Sequence, residues 1–479
     1  GDKPDSVYID VTIPDTTING LPLMVSSNGV LENIITSGNR KTFQWRERYP
    51  IVTYYVMLAV SNYQTFQQFY QDSSGISFPI DYFVFNEHLS AAQTGVAQLP
   101  EAVGLFSRYF GAYPFHQEKY GMTQLGYYGA IENQTNTIQN NLSLSWFETS
   151  VHELAHMWFG DMITCQDWHH GWLNEGFATY SEALWAEYTG GFNAYKSNMM
   201  NNRYYDSGTL YLQNVSNPFQ VFIPIIYLKG AYVLHMLRGI LGDLLFFDCI
   251  SAYAHSAELH YDHATTEDFH NICENISQRD LDFFFDQWIY DQFYPSYQYS
   301  YVQEDSTVTV SIRQIQSQLG RRAVFEMPVQ LLFEFSAGGD SLTTVWNDSM
   351  EQDFTFQFSG QVTNVQFDPD QWILRTVQLV NSIEPPDHPV ISESFYLYQN
   401  YPNPFNNQTQ ISYYLNRTAE IEITLYSVIG EKVISLYRGI QSPGFHQLNF
   451  DAADLSGGIY FYRMSCGTGS QVRKLVLLK

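Results

Sequence analysis

The sequence predicts a multidomain α+β chain in which a mainly helical central region is flanked by β-domains. Three observations predict it. Apolar residues alternate with polar ones near both ends, as Val7, Ile9, Val11 and Ile13 do against Tyr8, Asp10 and Thr12. Between about 79 and 298 the pattern turns helical, with recognisable start and stop signals. The length of 479 residues is enough for two to four domains, each with its own core.

The elements follow in chain order. After the first alternating run, Asn19-Gly20 and Asn28-Gly29 are turn signals, and Thr53 to Val60 is a further apolar run. Ser145 and Glu148 stand at capping-box spacing and open a helical segment expected to stop at Gly160. A second segment follows Leu173 and is expected to stop at Gly190-Gly191. The stretch Ala231 to Ala252 is apolar but carries His235, Arg238, Asp243 and Asp248, so it reads as a buried helical hairpin broken at Gly242 rather than a membrane span. Thr265 and Asp268 form a second capping-box pair, and Phe283 to Tyr290 is rich in aromatics. Beyond Pro295 strands return: Val308, Val310 and Ile312 alternate, as do Val329, Leu331, Phe333 and Phe335, and Phe354, Phe356 and Phe358. The Pro-rich run Ile383 to Pro389 is a linker, and after it Ile421, Ile423 and Leu425 alternate with Glu420, Glu422 and Thr424. The division read from this is 1–78 β-rich, 79–298 helical, 299–382 a small β-sandwich, 383–393 linker, and 394–479 a C-terminal β-domain.

Composition narrows the function classes. Apolar residues make up 45% and charged residues 15%, as in an ordinary folded protein. Asp and Glu number 49 against 23 Lys and Arg, a formal charge of −26, which disfavours nucleic acid and anionic lipid as partners because both need clustered cations. The acidic excess reads as a solvated surface. The first residues, Gly1 to Asp5, are polar and charged and carry no signal peptide. Cys165, Cys249, Cys273 and Cys466 form no zinc-type spacing, and a Cys249–Cys273 bridge is one open pairing.

The chemistry concentrates at His152-Glu153-Leu154-Ala155-His156. Residues i and i+4 of a helix share a face, so His152 and His156 can ligate one metal ion, with Glu153 beside it as general base toward a zinc-activated water. A catalytic zinc site takes three protein ligands and keeps one position open. Glu175, with 18 residues between it and His156, is the third candidate. Glu182, seven residues further on, can accept a hydrogen bond from a ligand imidazole and fix its tautomer. His169 and His170 read as surface or packing residues.

In order and spacing, these residues resemble peptidase family M1, the zinc aminopeptidases of the gluzincin group. His152 to Asp161 and Trp172 to Tyr180 carry the ligand motifs. Gly129-Ala130-Ile131-Glu132-Asn133 is similar to the family's exopeptidase motif, and Tyr227-Leu228-Lys229-Gly230-Ala231 to a downstream family motif. Ile131 and Leu228 stand where the family usually has Met and Glu. The resemblance implies a thermolysin-like catalytic domain, one Zn2+ per chain, and peptides with a free N-terminus as substrates. Glu132 would bind the substrate's ammonium group, and the slender Gly129-Ala130 backbone would pair edge-on with a substrate strand. Tyr227 would donate to the oxyanion of the tetrahedral intermediate. Residues 1–78 resemble only the last third of the β-rich domain that precedes such catalytic domains, so earlier strands and any signal peptide are expected upstream of this sequence.

The C-terminal 85 or so residues carry Tyr398 to Asn406, Tyr426 to Glu431, Leu455 to Tyr460 and Arg473 to Val476. They resemble the sorting domain of type IX secretion cargo, which implies an immunoglobulin-like sandwich, the type IX machinery as partner, and a secreted or cell-surface location. A zinc endopeptidase, or a non-catalytic surface protein on a peptidase scaffold, remains as an alternative from sequence alone.

Overall fold

A computed structural model of the chain describes residues 3–127, 129–316, 322–383, 395–400, 403–415, 417–442, 444–453, 455–467 and 469–478. The linker placed at 383–393 lies outside these residues apart from Ile383, as do Tyr401 and Pro402 of the C-terminal motif. The fold is multidomain α+β, with several sheets and a helical centre. Two compact units form, one of Gly1–Ser296, Phe325–Ser349 and Gln357–Thr376, the other of Tyr297–Val324, Met350–Phe356 and Val377–Lys479.

The first unit begins with the alternating run as a strand, Val7–Pro14, paired antiparallel with Arg40–Glu47, which in turn pairs with Val30–Ser37. Asn19 and Gly20 both take positive φ (54° and 81°), the conformation that turns Thr17–Ile18 tightly into Leu21–Pro22. A five-stranded sheet follows in the order Ala130–Ile131, Thr137–Gln139, Tyr120–Gln124, Ser77–Val84, Gln64–Gln71. Its first hairpin, Gln64–Gln71 with Ser77–Val84, straddles the boundary placed at residue 78. Tyr120–Gln124 runs parallel to both neighbours, while the two-residue strand Ala130–Ile131 is antiparallel and forms one edge.

Three helices carry the centre of this unit: Phe147–Ala155, Trp172–Asn201 and Pro224–Leu241. The first departs from expectation at both ends. It opens out of a 3-10 turn, Leu144–Trp146, with Trp146 at the N-cap and no capping side chain. Glu148, expected to cap it, instead accepts from Asn198 Nδ2 at 2.8 Å. The helix ends at Ala155, short of Gly160: Met157 and Trp158 donate three residues back, Asp161, Met162 and Ile163 five residues back, and the Phe159 carbonyl accepts from His156 Nδ1 at 3.0 Å. The second helix is broken at Gly191 (φ 73°) as the paired glycines predict, but regular helix resumes to Asn201. Gly242 (φ 78°) divides Pro224–Leu241 from Asp243–Ala254, and Thr265 with Asp268 makes the reciprocal capping box of Thr266–Ser277. Trp158 is fully buried among Phe106, Phe110 and Tyr113, which fixes the segment behind the two histidines. A three-stranded sheet, Asp340–Asn347, Met327–Phe335 and Val362–Phe367, completes the unit; Val329, Leu331 and Phe333 are buried in it.

The second unit contains a four-stranded sheet, Glu351–Gln357, Thr307–Gln314, Ser296–Glu304 and Thr376–Leu379, in which Val308, Val310 and Ile312 are the buried alternates. Its C-terminal part is two sheets. One has Phe395–Leu397, Gln408–Leu415 and Gly444–Asp451; the other has Lys432–Gln441, Ala419–Ser427, Gly458–Cys466 and Gly469–Leu477. Ile411, Leu415, Ile421, Ile423, Leu425, Met464 and Leu475 share one core between them.

Candidate metal centre and active site

His152 and His156 lie one turn apart at the C-terminal end of Phe147–Ala155, and Glu175 lies in the first turn of Trp172–Asn201. The two helices pack against each other. Between them the chain passes through Thr164–Cys165, which pairs parallel with His263–Ala264, and Asn174 Oδ1 accepts from the Cys165 amide at 3.0 Å. That contact ties the first turn of the second helix, which carries Glu175, to the strand before it.

The three candidate ligand atoms converge. His152 Nε2 and His156 Nε2 are 3.2 Å apart, and Glu175 Oε2 is 3.5 Å from the first and 3.3 Å from the second. Ligands about 2.0–2.1 Å from a tetrahedral zinc ion would be about 3.3 Å from one another, so the donor set fits that ion in spacing as well as in chemistry. Each imidazole is steered by its other nitrogen: His152 Nδ1 donates to Glu182 Oε1 at 2.7 Å, and His156 Nδ1 to the Phe159 carbonyl.

The electrostatics favour a cation. Burial opposes charge on both histidines, yet the bonds of His152 to Glu175 and Glu182 outweigh it and raise that imidazole's pKa. Burial likewise opposes charge on His156, but the Glu132 and Glu175 charges raise it to about 9. Burial would raise Glu175, but His156 and His152 hold it down, to about 2. Glu153 is pushed up to about 8, chiefly by burial, against the pull of the His152 charge and with the push of Glu132. Its Oε2 is buried and makes no hydrogen bond among the described residues, so it is free to face a reactant.

Glu132 joins this cluster. Ligand-type atoms of Glu132, Glu153 and His156 lie within 4.8 Å of one another. Glu132 follows the edge strand Ala130–Ile131, entered through Gly129 at φ +117°, a conformation that disfavours any other residue. The Gly129 carbonyl accepts from Asn140 N at 2.9 Å, Ile131 is 38% exposed, and Asn133 Nδ2 donates to the Tyr55 carbonyl at 3.1 Å. Tyr227 lies in the first turn of Pro224–Leu241, its ring 6.2 Å from that of His152 and its hydroxyl within reach of the Glu175 charge. Burial, then the Glu175 charge, raises its pKa, so the phenol keeps its proton.

The cause of that placement is a glycine contact. A Cβ added to Gly230 would lie 2.9 Å from the Gly176 Cα, and one added to Gly176 would lie 2.9 Å from the Gly230 Cα. The helices Trp172–Asn201 and Pro224–Leu241 therefore cross with backbones touching, one residue after Glu175 and one turn after Tyr227.

His169 and His170 lie apart from the centre: His169 Nδ1 bonds the Leu212 carbonyl, and His170 Nδ1 meets Thr266 Oγ1 at 3.0 Å. Two partners are not legible in the sequence. Tyr55, inside a segment read only as apolar, donates from its hydroxyl to Glu132 Oε1 at 2.8 Å from 77 positions upstream. The Phe159 carbonyl that orients His156 is main chain and carries no residue-type signal.

Comparison with known proteins agrees with this assembly. Residues 118–288 match the family described as Peptidase family M1 domain, and residues 399–478 the Secretion system C-terminal sorting domain. Aminopeptidase M1-D of Oryza sativa subsp. japonica is 26% identical over 298 residues, which are 57% of this chain and 33% of that protein. The chain thus spans about a third of that relative's length. Among solved structures, Legionella pneumophila aminopeptidase A in complex with aspartic acid shares the fold, with a TM-score of 0.68 at 20% identity over 80% of this chain and 46% of that one. A mutant M1 zinc metallopeptidase from Deinococcus radiodurans, bound to a Tyr-Ser-Ala substrate, gives a TM-score of 0.50 at 23% identity over 59% and 63%. Set beside the convergent His152, His156 and Glu175, these matches show a chain whose residues 118–288 are similar to the peptidase family M1 domain and whose residues 399–478 are similar to a secretion-system C-terminal sorting domain.

Proposed function

We propose that this chain is a zinc-dependent aminopeptidase, exported by the type IX secretion route and acting on peptides outside the cell. The observation that carries the reading is the closeness of Glu132 to the metal-facing atoms. An ammonium nitrogen is only about 2.5 Å from the carbonyl carbon of its own residue. A substrate amine held by Glu132 therefore brings the first peptide bond, and no later one, to His152, His156 and Glu175.

Zinc held by those three residues would polarise the scissile carbonyl and lower the pKa of a water to about 7. Glu153 Oε2 takes a proton from the attacking water and passes it to the leaving amine. Tyr227, held beside Glu175 with its proton on, turns its hydroxyl to the oxyanion. Glu182 and the Phe159 carbonyl keep both Nε2 atoms aimed inward. Ala130–Ile131 offers its open edge to the backbone of the substrate. The thermolysin-like character of the helical domain, the immunoglobulin-like character of the C-terminal sandwich, and the domain limits read from the sequence belong to this proposal. The C-terminal domain supports a secreted or cell-surface location. Among the described residues, no helix is long and apolar enough to cross a membrane.

The test is zinc analysis combined with hydrolysis of a panel of aminoacyl reporter substrates and their N-acetyl forms. About one zinc per chain, hydrolysis restricted to free-amine substrates, and its loss in E132A or after chelation are expected. Cleavage of N-blocked peptides that survives E132A would make the enzyme an endopeptidase; less than about half a zinc in folded protein would remove the enzymatic reading altogether.

A further inference from the structure

Glu132 is held from outside its own sheet. Tyr55 ends the 3-10 turn Thr53–Tyr55, is 2% exposed, and donates from its hydroxyl to Glu132 Oε1 at 2.8 Å. Its other end is tied to the same segment. The Tyr55 carbonyl accepts from Asn133 Nδ2 at 3.1 Å and from Asn28 Nδ2 at 3.0 Å. Asn28 Nδ2 also reaches the Gln134 carbonyl at 2.5 Å, while Asn28 Oδ1 accepts from the Met57 amide at 2.7 Å. Phenol and carbonyl of one buried residue thus hold Glu132 and Asn133, while Asn28 holds Gln134.

An ionised carboxylate has two oxygens and only acceptor positions. With Oε1 engaged by a fixed donor, the side chain loses rotamer freedom before substrate arrives, and Oε2 is left for an ammonium group. Burial, then the Glu132 charge, raises the pKa of Tyr55, so the phenol remains a donor. Pre-payment of ordering cost of this kind appears in affinity for the group that is recognised, and not for a ligand lacking that group.

We propose that Tyr55 is the positioning residue of the amine site: its hydroxyl fixes Glu132 in the rotamer that receives the substrate ammonium, so selection for a free N-terminus depends on the segment around residue 55 as well as on Glu132. The inference rests on the reading of Glu132 given above.

The test is calorimetric binding to the zinc-loaded chain, using L-leucine, L-phenylalanine and L-arginine, each against its N-acetyl form. The variants are Y55F, E132A, Y55F/E132A, and Y55M as a second donor-free substitution. Y55F keeps the ring and the clamped carbonyl. It is expected to lower the preference for the free amine about tenfold while leaving N-acetyl binding within twofold. E132A is expected to erase the preference, and Y55F to cost nothing more on that background. Should Y55F and Y55M keep the preference while E132A erases it, the role of Tyr55 is overturned and the aminopeptidase reading stands. Equal weakening of both ligand forms would make Tyr55 merely structural, and would also overturn the proposal. If wild type and E132A both fail to distinguish the two forms, the reading of Glu132 fails, and this inference with it.

Discussion

Substituting Gly230 by Ala tests how the site is assembled without touching a ligand or a catalytic group. The new methyl carbon would stand 2.9 Å from the Gly176 Cα and 3.8 Å from the Trp172 Cβ. Carbon atoms rest at about 3.5–4.0 Å, so the two helices must part by roughly 0.6–1 Å at their crossing. Forced overpacking of this kind costs about 1–3 kcal/mol, or a Tm lower by about 2–12 °C at roughly 2–4 °C per kcal/mol for a unit of this scale. The displacement matters more than the energy. Tyr227 lies one turn from Gly230, and its hydroxyl feels the charge of Glu175, the neighbour of Gly176. A shift of about 1 Å in a positioned group can cost on the order of 10²-fold in rate. G230A should therefore bind zinc normally, because all three ligands lie on other helices, and lose about 10²-fold in kcat on an aminoacyl reporter. In a Y227F background the same substitution should add less than about threefold, since the group it displaces is already disabled. A G230A enzyme with kcat within threefold of wild type and an unchanged Tm would refute the argument from the glycine contact.

E153Q should retain about one zinc per chain and lose on the order of 10²–10⁴ in kcat, the usual worth of a general acid–base group, as measured by steady-state assay beside metal analysis. E182Q should weaken zinc binding by about 10- to 100-fold in chelator competition, because the His152 tautomer loses its charged partner at 2.7 Å. His235 gives the pH dependence. It is fully buried between the Tyr195 hydroxyl (2.7 Å) and the Gln371 carbonyl (3.0 Å), and stacks on Trp372 at 4.6 Å. Burial lowers its pKa from 6.5 to about 3. A depressed histidine contributes stability that is fully present above 6.5 and is lost as pH falls toward 3. By pH 4 the loss is about 3.5 kcal/mol, taken as roughly 1.4 kcal/mol per unit over about 2.5 units. Urea titrations at pH 7 and pH 4 should show this extra loss in wild type relative to H235Q; parallel losses in the two would dismiss it.

What was legible in the sequence is what local spacing encodes. His152 and His156 share a helix face by arithmetic alone, Thr265 and Asp268 cap the next helix as their spacing says, and Gly242 breaks the hairpin where it should. The misreadings have local causes too. Ser145 and Glu148 have the spacing of a capping box, but a 3-10 turn consumes Ser145, and Asn198 claims the Glu148 carboxylate. The helix expected to reach Gly160 stops at Ala155, where main-chain bonds three and five residues back take over. Contacts between distant segments left no trace. Nothing around Tyr55 signals a carboxylate 77 positions later, and the tolerance of Gly230 for Gly176 alone becomes visible only when two helices are laid across each other.

The edge strand Ala130–Ile131 has a consequence for what can be digested. On the proposed reading, a substrate strand would add to this edge of the sheet beside Glu132. A peptide can lend one only if its first residues are extended and their amides and carbonyls are not already committed. The N-terminus of an intact folded protein, tucked into a sheet or wound into a helix, is chemically eligible and conformationally barred. On the reading proposed here, the enzyme would trim loose ends and products of prior cleavage, and would leave native neighbours on a crowded cell surface alone. Discrimination between debris and living protein then needs no recognition of sequence: availability of backbone suffices.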